Sequence, residues 1–194
     1  MKSMSYIVLL LIFVSCNKKI DTLILESKSS VEIESRVPQF PDDWLGYWSG
    51  DIDIYNEKGK TMTVPMALDH AVTPKDSVWT WAIIYGEDTI AGRRDYELNI
   101  VDSTKGHYLV DEKNSIFLDA FVLGNNLVST FKVGENYLLS SYELDGNEMI
   151  FTVNFFSNKV IRKTGDTIQD EEDIPIVYSY KNTVYQKARL KKGR

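Results

Sequence analysis

From Trp44 onward, apolar side chains recur at every second position, in one segment after another. Ile52 and Ile54 share one face. Met62, Val64, Met66 and Leu68 share the next, followed by Trp79, Trp81, Ile83 and Tyr85. Tyr96, Leu98 and Ile100 continue the series, then the run 116–118, then Leu127, Phe131 and Val133. Leu138, Tyr142 and Leu144 come next, then Phe151, Val153 and Phe155, and Val184, Ala188 and Leu190 close it. Strict alternation over about four to eight residues is the mark of a half-buried strand. The breaks between runs carry Gly59, Gly86, Gly106, Gly124, Gly134 and Gly146, and hairpin loops need residues of this kind that accept positive φ. No stretch of helical period follows the first residues, and there is no internal repeat. The pattern predicts an all-β chain: a single antiparallel up-and-down β-barrel of about ten strands, with few or no helices after the amino-terminal segment. An open sandwich is the alternative.

Charge and cysteine content narrow the function classes. The chain has 22 Lys+Arg against 28 Asp+Glu, a formal charge of −6, which gives no footprint for nucleic acid. Its single cysteine rules out a disulfide within the chain, and with two histidines it cannot complete a Cys/His zinc site unaided. No cofactor is expected.

That cysteine, Cys16, follows an apolar run at residues 6–14, with Ser15 between them and Asn17, Lys18 and Lys19 after it. A mature membrane-spanning helix needs about 20 apolar residues, so the run matches the core of an export signal instead. Phe13, Val14, Ser15 and Cys16 resemble a bacterial lipobox, with Phe in place of the usual Leu three residues before the cysteine. The resemblance implies acylation of Cys16 with diacylglycerol, cleavage just before it, and a chain held at the bacterial cell envelope, at the outer membrane. More than one acyl chain gives stable anchoring. Residues 1–15 are then the lipoprotein signal peptide, 16–40 a flexible polar tether, and 41–194 the barrel domain. The stretches 79–86 (WTWAIIYG) and 106–114 (GHYLVDEKN) resemble lipoproteins of Bacteroidota-type bacteria, a likeness that carries no activity with it.

Two features favour a closed barrel. Gly46, Tyr47 and Trp48 open the first strand, and Arg189 lies near the end of the last. Together they resemble the lipocalin and wider calycin signature. The resemblance implies that Trp48 closes one end of the barrel with the Arg189 guanidinium packed across its ring, an arrangement that gains cation–π energy of roughly 0.5–2 kcal/mol. The residues 41–44 are placed for a turn capping the same end. Intracellular fatty-acid-binding barrels fit less well, because residues 55–61 leave only a tight turn where those proteins carry two lid helices. Trp48, Ser49 and Gly50 resemble the Trp-x-Gly run of haem-binding nitrobindin-like barrels, but no histidine follows His107 to serve as axial ligand.

Several residues are candidates for binding. His70 is in phase with Met66 and Leu68 near a strand end. Arg94 is in phase with Tyr96 and Leu98, where it would pair with an anionic head group at a barrel mouth. Trp79, Trp81 and Tyr85 form an aromatic stripe that either lines a cavity or fills the core. His107, Asp111, Glu112 and Asp119 are the nearest approach to an acid–base set, yet no nucleophile elbow, phosphate loop or H-E-x-x-H is present. Residues 157–182, with their acidic cluster at 170–173, read as a long surface loop. The chain is thus read as a non-enzymatic, lipid-anchored envelope protein whose barrel binds a small, mostly apolar ligand. Alternatives are an accessory subunit of an outer-membrane assembly and, third, a hydrolase or isomerase. Its partners are the membrane, through the lipid anchor, and the small apolar ligand, with no nucleic acid.

Overall fold

The computed structural model of the chain describes residues 39–169 and 171–193. The expected signal peptide, Cys16 and almost the whole expected tether lie outside these residues. The described chain forms a closed antiparallel barrel of ten strands, which excludes the open sandwich. Its strands are β1 (Gly46–Asn56), β2 (Gly59–His70), β3 (Val78–Tyr85), β4 (Arg93–Asp102) and β5 (His107–Asp111). They continue with β6 (Phe117–Leu123), β7 (Asn126–Val133), β8 (Asn136–Asp145), β9 (Glu148–Thr164) and, after a small hairpin, β12 (Val177–Lys192). Each pairs with its neighbour in sequence, and β1 closes the ring on β12, with Trp48 opposite Lys192 and Ile52 opposite Ala188. The hairpin inserted between β9 and β12 is β10 (Thr167–Gln169) with β11 (Glu172–Ile174).

The period-two pattern predicts these strands because closure leaves each with one face inward and one toward water. Ile52, Met66, Leu68, Trp81, Leu98, Tyr142, Phe151 and Leu190 all point in and are buried. The glycines act where expected. Gly146 has φ 59° in the turn from β8 to β9, a conformation that side-chain-bearing residues rarely hold. Gly50 acts through size: a Cβ there would sit 2.5 Å from the carbonyl oxygen of Arg189, so only glycine lets β12 approach β1 so closely.

Strand direction sorts the turns onto two ends. The residues before β1 and the turns 71–77, 103–106, 124–125 and 146–147 lie at one end, here the floor. The turns 57–58, 86–92, 112–116 and 134–135 lie at the other, the mouth. At the floor, residues 42–44 form one 3₁₀ turn that drives Trp44 into the barrel with no exposed surface. Phe40 packs edge-on to Trp44 and Tyr108, at 5.0 and 4.7 Å between ring centres. The expected tether boundary at residue 40 is therefore corrected, because Phe40 belongs to the barrel floor.

A second correction concerns residues 157–182. They do not form a long loop. β9 runs on to Thr164, β12 begins at Val177, and the two pair as a ribbon beyond the barrel wall. The ribbon was invisible to pattern reading because both its faces meet water, so nothing selects for alternation.

Candidate functional site

All ten strands contribute to one internal cavity of about 490 Å³. Its lining runs from Trp81, Tyr142 and Phe151, beside the floor cluster, to Ile54, Tyr96 and Glu112, beside the mouth turns. Eight strands make a barrel just wide enough for side chains to fill or for one small ligand, and ten leave more room. The walls are apolar: Val64, Ile83, Leu118, Leu127, Phe131, Leu138, Val153 and Phe155. The polar atoms are few and come from Glu112, Ser129, Ser140, Gln186 and three tyrosines. Such a volume, with apolar walls and few polar groups, is typical of a small-molecule site.

The tyrosines stand in an apolar setting. Burial pushes the Tyr85 hydroxyl up to about 12, with nearby Tyr96 adding to the rise and Arg94 opposing it. Burial likewise raises Tyr142 well above its ordinary value, against a hydrogen bond from Trp81. Both hydroxyls are neutral near pH 7, so they offer hydrogen-bond donors to the cavity, not charges. Ser129 donates to the Asp119 carbonyl at 2.6 Å. The Glu112 carboxylate accepts a bond from Asn114 at 3.3 Å.

The aromatic stripe splits along its length. Trp81 and Tyr85 line the cavity, while Trp79 packs half-buried against the core and does not line it. Arg94 is exposed at the rim, where it donates to the backbone carbonyls of Ala91 and Arg93 and stays outside the lining. His70 is wholly buried below the cavity. Its Nδ1 lies 2.9 Å from the Thr80 carbonyl and its Nε2 3.3 Å from that of Pro41. A neutral imidazole has one N–H, and the shorter contact assigns it to Nδ1. His70 thus ties β3 to the floor plug and is walled off from any ligand. Burial holds its pKa below the ordinary value, overcoming the two carbonyl contacts.

The barrel closure is half as expected. Trp48 is buried at the floor and its indole N–H donates to the Trp44 carbonyl at 2.8 Å. The cation over its ring is not Arg189 but Lys192, at 5.2 Å from the ring centre. Arg189 points outward and pairs with Glu148. Parity is the reason. Ala188 and Leu190 point in, so Arg189 between them must point out, and Lys192 returns to the inward phase. Gly46 supports this arrangement, since a Cβ there would meet the Lys192 Cε at 2.6 Å.

The acid–base set does not assemble in a cleft. His107 and Asp119 are 2.6 Å apart on the outer wall, where His107 stacks on Phe121. The Asp111 carboxylate accepts from the backbone N–H of Lys113, and Glu112 points to the cavity. Among the described residues no group of three His, Cys, Asp or Glu could hold a metal ion.

The polar lining was missed from sequence although a signal existed. Ser129 stands between Leu127 and Phe131, Ser140 between Leu138 and Tyr142, and Gln186 between Val184 and Ala188, each in inward phase. Following apolar residues alone steps over them. No protein-family model and no curated protein sequence matches this chain.

Proposed function

We propose that this chain is a lipid-anchored envelope protein whose barrel carries one small, mostly apolar molecule. The observation that carries the reading is the cavity of about 490 Å³, apolar on nearly every side, inside a closed ten-stranded wall. Its few donors and acceptors suit a ligand with an apolar body and a hydrogen-bonding end. Lipidation rests on the apolar run at 6–14 ahead of the single cysteine, Cys16. The described chain enters the barrel at the floor, and the cavity reaches toward the opposite end.

The test is native mass spectrometry of the full chain, extracted in mild detergent from a bacterial membrane. A mass increment of one small molecule is expected. It should vanish in Ser140→Trp, which fills the cavity from a position with space before it, while the circular dichroism spectrum stays that of the parent. A bare parent mass, with no uptake of an added apolar fluorophore, would overturn the reading. The anchor is tested separately: Cys16→Ser should release the chain from the membrane fraction and abolish labelled palmitate incorporation.

A further inference from the structure

The two longest strands leave the barrel wall together. β8 pairs with β9 only as far as Asn136 opposite Ser157, and β1 pairs with β12 only as far as Tyr55 opposite Tyr185. Beyond those points the two strands pair with each other alone, and the β10–β11 hairpin continues the ribbon to its tip. The ribbon therefore has two outer edges without a strand neighbour among the described residues. A two-stranded ribbon alone in water is marginal, and an open edge is a template for another strand.

The side chains add to the mismatch. Val160, Ile161, Ile168, Val177, Tyr178 and Tyr180 each expose between 40% and 75% of their surface. Val160 and Ile161 are successive, as are Val177 and Tyr178, so the apolar surface covers both faces. Charge along the ribbon is segregated. Lys163 pairs with Asp166, and Lys181 with Glu57. Lys159 and Arg162 on the shaft have no ion-pair partner among the described residues, and neither do Glu171, Glu172 and Asp173 at the tip.

We infer that the chain forms a two-fold dimer in which two of these ribbons lie antiparallel, the acidic tip of each against the basic shaft of the other. The pairing within the ribbon determines the alignment. Glu172 lies opposite Gln169, Asp173 opposite Ile168, and Val177 opposite Thr164. A two-fold axis near the Thr164–Val177 pair brings Arg162 of one copy to Asp173 of the other. The same axis brings Lys159 to the tip beside Glu171, and Ile161 level with Glu172, one residue past Ile168. One patch thus complements itself in charge, with exposed apolar side chains beside the matched pairs, as a closed two-fold contact requires. This inference stands apart from the cavity and does not depend on a ligand.

Cysteine cross-linking of the full chain in its own membrane tests it. Thr164→Cys lies next to the proposed axis, so mild oxidation should yield a disulfide-linked species of twice the chain mass. Asn147→Cys at the floor, and the parent, whose one cysteine carries the proposed lipid, should not. Two differently tagged copies should also co-purify. Lys159→Glu with Arg162→Glu should weaken that association by roughly tenfold or more, because it sets like charges together. Adding Glu171→Lys, Glu172→Lys and Asp173→Lys should restore it, a rescue that a merely folded ribbon does not predict. High salt should weaken the parent dimer, as screening shortens the reach of exposed charges. Three results would each overturn the inference: no cross-link at 164, co-purification indifferent to the charge changes, or a cross-linked product whose mass is that of a different protein.

Discussion

The floor and the upper half of the barrel are built from the same alternating pattern and end in opposite states. At the floor, Phe40, Trp44, Trp48, His70, Trp81 and Tyr108 crowd together, with Phe40, His70 and Trp81 within about 6 Å of one another, ring centre to ring centre. Above them half of the lining is Val, Leu, Ile and Ser, interleaved with single rings such as Phe131 and Phe155 that do not meet across the barrel, and the wall encloses a cavity. The difference lies in size and in one extra layer. Large rings meet across the floor, and residues 39–45 fold back to plug what remains. The floor packs solid, and the space above it is the cavity on which the proposed ligand binding rests.

The sharpest challenge to that division is Trp48→Ala. It removes a fully buried ring and the bond to Trp44, and should lower unfolding free energy by about 3–5 kcal/mol in chemical denaturation. Tyr85→Phe, on the cavity wall, should change it little. Equal losses at both ends would contradict the contrast.

Acid should act through the floor. His70 is kept neutral in the folded protein, while in the unfolded chain it titrates near 6.5. Between its lowered folded value and about 6.5 the unfolded state binds more protons, so stability falls as pH drops below about 6.5. The slope from this one group is at most about 1.4 kcal/mol per pH unit. Denaturation midpoints at pH 7 and pH 5 should differ, and His70→Gln should flatten the difference.

Alkali should act through the cavity wall. Tyr85 keeps its proton to about 12 when folded, whereas an unfolded tyrosine loses it near 10. The unfolded state is then the one with fewer protons, so stability falls as pH rises above about 10. Absorbance titration at 295 nm should show a late phase that Tyr85→Phe reduces, the remainder coming from the buried Tyr142.

The smallest effects separate the two cations at the barrel closure. Lys192→Ala should lose roughly 0.5–1 kcal/mol with its contact over Trp48. Arg189→Ala, an exposed pair partner of Glu148, should stay within about 0.5 kcal/mol. The reverse order in thermal melts would return Arg189 to the role first expected of it.

The fold was readable because a barrel wall demands alternation, and nine runs in the sequence follow it; the short β5, with Tyr108 and Val110 inward, completes the ten in the structure. Ile52, Leu68, Leu98 and Leu190 were placed inward from sequence and are inward. Part of the cavity was readable too, through Trp81 and Tyr85. Its polar lining required parity to be followed through Ser140 and Gln186, where the residue type gives no hint of burial. Arg189 has the chemistry of the Gly-x-Trp likeness but the wrong phase, since it lies between the inward Ala188 and Leu190. Phe40 misled because a polar stretch around it resembles a tether, and nothing local marks one ring as buried.

The order of side chains along the chain thus determines strand, turn and inward phase, since each depends on neighbours one or two positions away. Three things depended on residues distant in sequence coming together. Lys192 replaces Arg189 over Trp48 because the register of β1 on β12 aligns them. Phe40 enters the floor because the plug folds under the barrel. The cavity exists because the inward side chains of ten strands, each of ordinary size, do not reach across the circle they enclose.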